Sequence, residues 1–274
     1  MASDTSIEEI LVLHHSHLDV GYTHSPPILW RLQAEYISQA LDWLEATAEL
    51  PEDHRPKWTC EATEPVLRWL ADASPDQIVR FKDLCVQGRI GLSALRWHVS
   101  ATIDRPGIRR LLAGKRELED VVGRPIPVAC QHDVNGVPWP MADELLDAGV
   151  DLFVMGVNRH LGGPVAPRPG LFFWEAPSGR RLRVFNGSHY TMFDQLLNAW
   201  DDSVERMAAG WDAFHERLRQ IGYQLPFAYL TSTCTPIMWA VTKPSTRQAR
   251  VAMSRATGES RAINPYASSG MRTC

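Results

Sequence analysis

Short apolar runs of strand type alternate with longer amphipathic stretches along most of this chain, and that alternation limits the fold more than any other feature. The run at residues 10–13, Ile-Leu-Val-Leu, has the length and composition of a fully buried strand. Pro26 and Pro27 then open a helical stretch over residues 28–49, where Leu29, Leu32, Tyr36, Ile37, Ala40, Leu41 and Leu44 recur at spacings of three and four. Further strands are predicted over residues 57–62, 89–95, 126–131, 151–155 and 226–230, and further helices over 65–70, 75–87, 106–122, 138–148 and 204–221. Pro177-Ser178-Gly179 separates two more strand-like segments, 172–175 and 181–185, as a hairpin turn would. Strands alternating with helices indicate parallel βαβ units, and six or so units in about 230 residues fit a (β/α) barrel better than an open sheet. Only Gly21 follows the first strand, so the glycine-rich phosphate loop of a Rossmann nucleotide site is absent there.

Two of these strands run into His and Asp. The first is followed by His15-Ser16-His17-Leu18-Asp19-Val20-Gly21-Tyr22, and the fourth by Gln131-His132-Asp133-Val134-Asn135-Gly136. Alternate residues of an extended segment project to one side, so the imidazole of His17 and the carboxylate of Asp19 can close on one ion; His15 shares that parity. Imidazole and carboxylate together suit a borderline divalent cation, zinc above all, at the barrel face where catalytic groups gather. The plainer alternative is a histidine-rich surface turn. Asp133 beside a metal can act as ligand, base or nucleophile, or it can merely cap a turn with Asn135 and Gly136. His132, its neighbour on the strand, would point the other way, into the barrel wall.

With 274 residues, 45% of them hydrophobic and 22% charged, the chain can bury a sizeable core as one large α/β domain or two small ones. A net charge of −4 argues against nucleic acid as the main partner. Cys60, Cys85, Cys130, Cys234 and Cys274 are odd in number and lack C-x-x-C spacing, as in a reduced intracellular set. Residues 1–10 are too polar and acidic for a signal peptide, and no apolar run approaches the roughly 18–20 residues of a membrane span. The expectation is a cytoplasmic protein with neither nucleic acid nor membrane as partner.

The chain resembles the N-terminal catalytic domain of glycoside hydrolase family 38, the α-mannosidases, in an uncharacterised bacterial branch. The family's opening motif, a strand followed by His-Ser-His-x-Asp-x-Gly-aromatic, is matched by His15, Ser16, His17, Asp19, Gly21 and Tyr22, with Tyr22 where the family has tryptophan and Val20 where it commonly has proline. The resemblance implies that His17 and Asp19 bind zinc, and that Asp133, in Gln131-x-Asp133-x-x-Gly136, is both the catalytic nucleophile and a third zinc ligand. Weaker similarities lie in Trp58-Thr59-Cys60-Glu61 with Arg68-Trp69, in Gly88-Arg89-Ile90 through Trp97, in Phe173-Trp174-Glu175 before Gly179, and in His189-Tyr190. From these, Trp97, His189, Tyr190 and Glu61 are expected to meet a carbohydrate substrate, and Asp104 could bind its hydroxyls as well. Trp97 is alternatively barrel-rim packing, Glu61 a strand-end ion pair and Asp104 the cap of the helix that begins at Pro106. His98 and His189 are candidate substitute ligands. The implied fold is a (β/α)7-type barrel of the glycoside hydrolase and deacetylase kind over residues 8–232, incomplete at its C-terminal end, and the implied chemistry is retaining hydrolysis of an α-glycoside with Zn2+.

The family places its general acid/base Asp just after the strand equivalent to residues 227–230, and its fourth zinc ligand is a His farther on. This sequence has no Asp after Asp212 and no His after His215. Composition changes in the same region. Residues 231–274 contain no Leu, six bases, one acid (Glu259) and thirteen Ser or Thr, a net +5, whereas residues 1–230 carry 22 bases and 31 acids, a net −9. Residues 233–274 therefore read either as a basic, disordered tail or as the product of a reading-frame shift near 234–242. Two functional alternatives stand beside the glycosidase: a metal-dependent carbohydrate deacetylase-like hydrolase, which needs no second carboxylic acid, and a non-catalytic fragment.

Overall fold

The computed structural model describes residues 7–158, 170–187 and 203–232, together with Tyr190, Phe193 and Leu197. Strand β1 (Glu9–His15) leads through α1 (Pro26–Ala46) to β2 (Trp58–Cys60), then through α2 (Thr63–Asp72) and α3 (Pro75–Val86) to β3 (Ile90–Leu92). Helix α4 (Arg105–Val122) joins β3 to β4 (Val128–Asp133), and α5 (Met141–Asp147) joins β4 to β5 (Leu152–Val157). The hairpin of β6 (Gly170–Glu175) and β7 (Arg181–Asn186) follows, then α6 (Val204–Gln220) and β8 (Phe227–Ser232).

Local chemistry sets several of these boundaries. Ser74 and Gln77 exchange side chain-to-backbone hydrogen bonds as a capping box at the start of α3. Asp104 accepts from the Gly107 N–H as the N-cap of α4, the plainer of its two expected roles, and Gly123 ends that helix at φ 68°.

The strands form two sheets, in the orders β3–β2–β1–β8 and β4–β5–β7–β6. All pairings within them are parallel except the β6–β7 hairpin. The sheets meet just past β3, where the Ala94 N–H donates to the Val128 carbonyl at 2.9 Å and the Cys130 N–H to Ser93 Oγ at 2.8 Å. Helices α1 to α5 cover the outer faces and bury Leu41, Leu44, Trp58, Phe81, Leu118 and Phe153 among the main core residues. Helix α6 packs Met207, Trp211, Phe214 and Leu218 with Ala228 and Leu230 of β8. The opposite strand faces gather Cys130, Val154 and Phe185 with Phe227 and Tyr229 into a central cluster.

Closure of the expected barrel is not shown among the described residues. Both edges of β7 are taken, by β5 and by β6, and among the described residues no backbone ladder joins β8 to either. Among the described residues only side chains bridge that seam, with the Phe185 ring 5.0 Å from Tyr229 and 6.2 Å from Phe227. The described residues thus form a mixed α/β fold of two sheets, as far as the expected incomplete barrel is seen. Residues 233–274, expected as a separate tail, lie outside the described ones. No described helix is long and apolar enough to cross a membrane.

Candidate metal centre

Alternation along β1 sorts its two terminal histidines. His14 faces outward, edge-on to Trp43 and Phe193, and burial lowers its pKa to about 3, so it is neutral. His15 faces inward with the next odd positions, His17 and Asp19. Its Nε2 lies 3.2 Å from the Tyr190 carbonyl, and its Nδ1 lies 2.7 Å from Glu61 Oε2.

Glu61, just past β2, is where the histidines converge. Its Oε1 meets His17 Nδ1 at 2.9 Å, His98 Nε2 at 2.9 Å and the Leu18 N–H at 2.7 Å. Its Oε2 meets His15, and His132 Nδ1 at 2.6 Å. Burial alone would raise the Glu61 pKa, but the surrounding histidines outweigh it and hold the carboxyl well below its usual range. As a carboxylate it only accepts, so the nitrogens that face it carry the protons.

Above this layer lie His17 Nε2, an Asp19 carboxylate oxygen and an Asp133 carboxylate oxygen, all within 4.8 Å of one another. His17 Nε2 is buried with no hydrogen-bond partner and stands 3.5 Å from Asp19 Oδ1. Two ligands about 2.0–2.1 Å from one tetrahedral zinc stand about 3.3 Å apart, so this spacing suits a shared cation better than a hydrogen bond. The other two groupings, His15–Glu61–His132 and His17–Glu61–His98, have nitrogens 2.6–2.9 Å from a Glu61 oxygen, which is hydrogen-bonding distance. His98 is also spoken for at both nitrogens, since its Nδ1 accepts from the His132 N–H at 3.1 Å; as a substitute ligand it has no free lone pair. Burial lowers the His17 pKa, but the Glu61 and Asp19 carboxylates outweigh burial and hold it up at about 10. A cation at Nε2 would displace that proton. The residues present therefore fit a divalent metal.

Asp133 ends β4 in the left-handed region, with φ 64°. Asn158, just past β5, holds it there: its N–H donates to the Asp133 carbonyl at 2.8 Å and its Nδ2 donates to Asp133 Oδ1 at 2.8 Å. The Tyr190 hydroxyl bonds the same carboxylate, and its ring lies 4.3 Å from the His17 ring, tilted by 30°. Burial, then the Asp133 charge, raise the Tyr190 pKa, so its hydroxyl keeps its proton.

Of the residues read from the sequence, the structure brings His17, Asp19, Asp133 and Tyr190 together. Glu61, expected to bind sugar hydroxyls, is instead buried beneath them at 3% exposure with both oxygens occupied. Trp97 is half-buried, its ring 6.0 Å from Trp30, with Arg96 over its face at 5.3 Å. His189 lies outside the described residues. Asn158 was missed; its place at the end of the strand beside β4, where Asp133 pairs with Val157, was the available signal.

Residues 8–227 match the model of the glycosyl hydrolases family 38 N-terminal domain. The chain belongs to glycosyl hydrolase family 38. This family 38 domain is similar in structure to an α-mannosidase from Enterococcus faecalis V583, with a TM-score of 0.66 and 13% identity over 90% of this chain and 27% of that one. A second Enterococcus faecalis protein of glycosyl hydrolase family 38 gives 0.64 and 13% over 92% and 25%. The domain thus spans about a quarter of the length of either structure. A probable polysaccharide deacetylase from Pseudomonas aeruginosa PAO1 gives 0.51 and 9% over 91% of this chain and 83% of that one. At these identities the likeness establishes fold. No curated protein matches the sequence.

Proposed function

We propose that this family 38 domain is built for zinc-dependent, retaining hydrolysis of an α-mannoside-like carbohydrate, with His17, Asp19 and Asp133 holding the metal and Asp133 as nucleophile. The observation that carries the reading is the buried Nε2 of His17, which makes no hydrogen bond and stands at ligand spacing from Asp19, beside Asp133. When bound, zinc supplies a positive centre for sugar hydroxyls and for the charge of the carboxylates around it. The Asp133 carboxylate attacks the anomeric carbon as the glycosidic C–O bond breaks, and water later releases the sugar. The leaving oxygen needs a proton, which in the family comes from an Asp after the strand equivalent to β8. No Asp follows Asp212 here. Activated substrates whose leaving group departs unprotonated, such as glycosyl fluorides or dinitrophenyl glycosides, test attack by Asp133 without calling on that acid.

The test is zinc per chain by elemental analysis on chelator-washed protein, followed by turnover of an activated α-mannoside. Near one zinc is expected, lost in Asp19→Ala, with turnover abolished in Asp133→Asn. Turnover that survives Asp133→Asn refutes the nucleophile, and a chain that retains no zinc refutes the metal site. The absence of an Asp after Asp212 also suits a deacetylase-like hydrolase, since that chemistry needs only the metal and a base near Asp133. Acetate release from acetylated sugars, without mannoside turnover, identifies that reading, and failure of both reactions identifies a non-catalytic domain.

A further inference from the structure

Four hydrogen bonds and a fifth close contact, from His15 Nδ1 at 2.7 Å, meet on one buried carboxylate, more than a core ion pair requires. Glu61 reaches the ends of three other strands: His15 closes β1, His98 follows β3 and His132 is the penultimate residue of β4. Removal of Glu61 would leave several buried imidazole donors facing one another. The five contacts differ in what they do. His15, His98 and His132 anchor Glu61. Through Oε1, Glu61 then fixes both the Nδ1 of His17 and the backbone of Leu18, the residue between His17 and Asp19.

We propose that Glu61 is the positioning residue of this site: it holds His17 by Nδ1, so that Nε2 presents its lone pair beside Asp19 and Asp133, and it sets the backbone angle between the two ligands through Leu18. A carboxylate behind a ligating imidazole fixes the tautomer and ring orientation and raises the basicity of the ligand. The proposal rests on His17 being a metal ligand.

The test measures Zn2+ affinity of the full chain by competition with a chromophoric chelator, in wild type, Glu61→Gln, Asp19→Ala and Asp104→Ala. Glu61→Gln keeps the shape of the side chain but replaces an acceptor oxygen with a donor. Its zinc affinity should fall 10–100-fold, the range for a group behind a metal ligand. Asp104→Ala weakens a remote helix cap and should leave affinity unchanged, which separates positioning from lost stability. On wild type, nitrogen NMR of the zinc-loaded protein should find His17 protonated at Nδ1 and metal-bound at Nε2; this decides the matter even if Glu61→Gln does not fold. Unchanged affinity in Glu61→Gln, or metal on Nδ1, overturns the proposal while zinc loss in Asp19→Ala keeps the ligand reading. A wild-type chain that binds no zinc overturns the ligand reading and this proposal with it.

Discussion

Asp133 occupies a backbone conformation, φ 64°, that costs a residue with a Cβ roughly 1–2 kcal/mol. Asn and Asp tolerate it better than other non-glycine residues because their short polar side chains bond locally. Asp133→Asn should therefore unfold at nearly the wild-type denaturant concentration and still lose zinc, because an amide is a poor ligand. Asp133→Ala should lose zinc and also about 1–2 kcal/mol of stability, with the bond from Asn158 gone as well. Denaturant titration beside elemental analysis separates the two, and equal stability of both variants would remove strain from the account. At this scale the grouping of His17, Asp19 and Asp133, which the structure brings within 4.8 Å of one another, could be read because strand parity and strand ends mark them. Glu61 was misread because a carboxylate at a strand end looks the same whether it meets solvent or four histidines brought from elsewhere.

Elements were readable wherever local chemistry dictates them. Ser74 with Gln77, Asp104 with Pro106 and Gly123, and Pro177-Ser178-Gly179 are boundary signals that tertiary structure did not override. Strands β2 and β3 are shorter than the runs that predict them, and for a reason tied to the site. After Cys60 the chain leaves its ladder to deliver Glu61, and after Leu92 it turns so that Ser93 and Ala94 bond β4. Asp104 makes a testable case, since its sequence allowed either a sugar contact or a cap. As the cap of α4, Asp104→Ala should cost about 1 kcal/mol in denaturant unfolding and leave activity on an activated α-mannoside intact. A loss of turnover without loss of stability would restore the sugar-binding role.

Closure of the molecule was the least legible property, because it depends on which strand edges meet and not on any local pattern. Strand β8 pairs with β1 along six residues, yet its second edge has no ladder among the described residues, and the β7 edge that would face it is covered by β6. Among the described residues this seam is held by side chains, and a seam without a ladder is where such a fold first separates. Phe185 is the main bridge, packed on both Tyr229 and Phe227. Phe153, on the other face of β5, is equally aromatic and fully buried but packs in the main core, its ring 6.5 Å from Trp174 of β6. Each residue changed to Ala should lose about 3–5 kcal/mol in denaturant unfolding, as large core truncations do. Hydrogen exchange should then tell them apart. Phe185→Ala should release amides of β8 and β1 ahead of global unfolding, whereas Phe153→Ala should speed exchange evenly across both sheets. Equal patterns in the two variants would mean that the seam is held by something other than the Phe185 cluster.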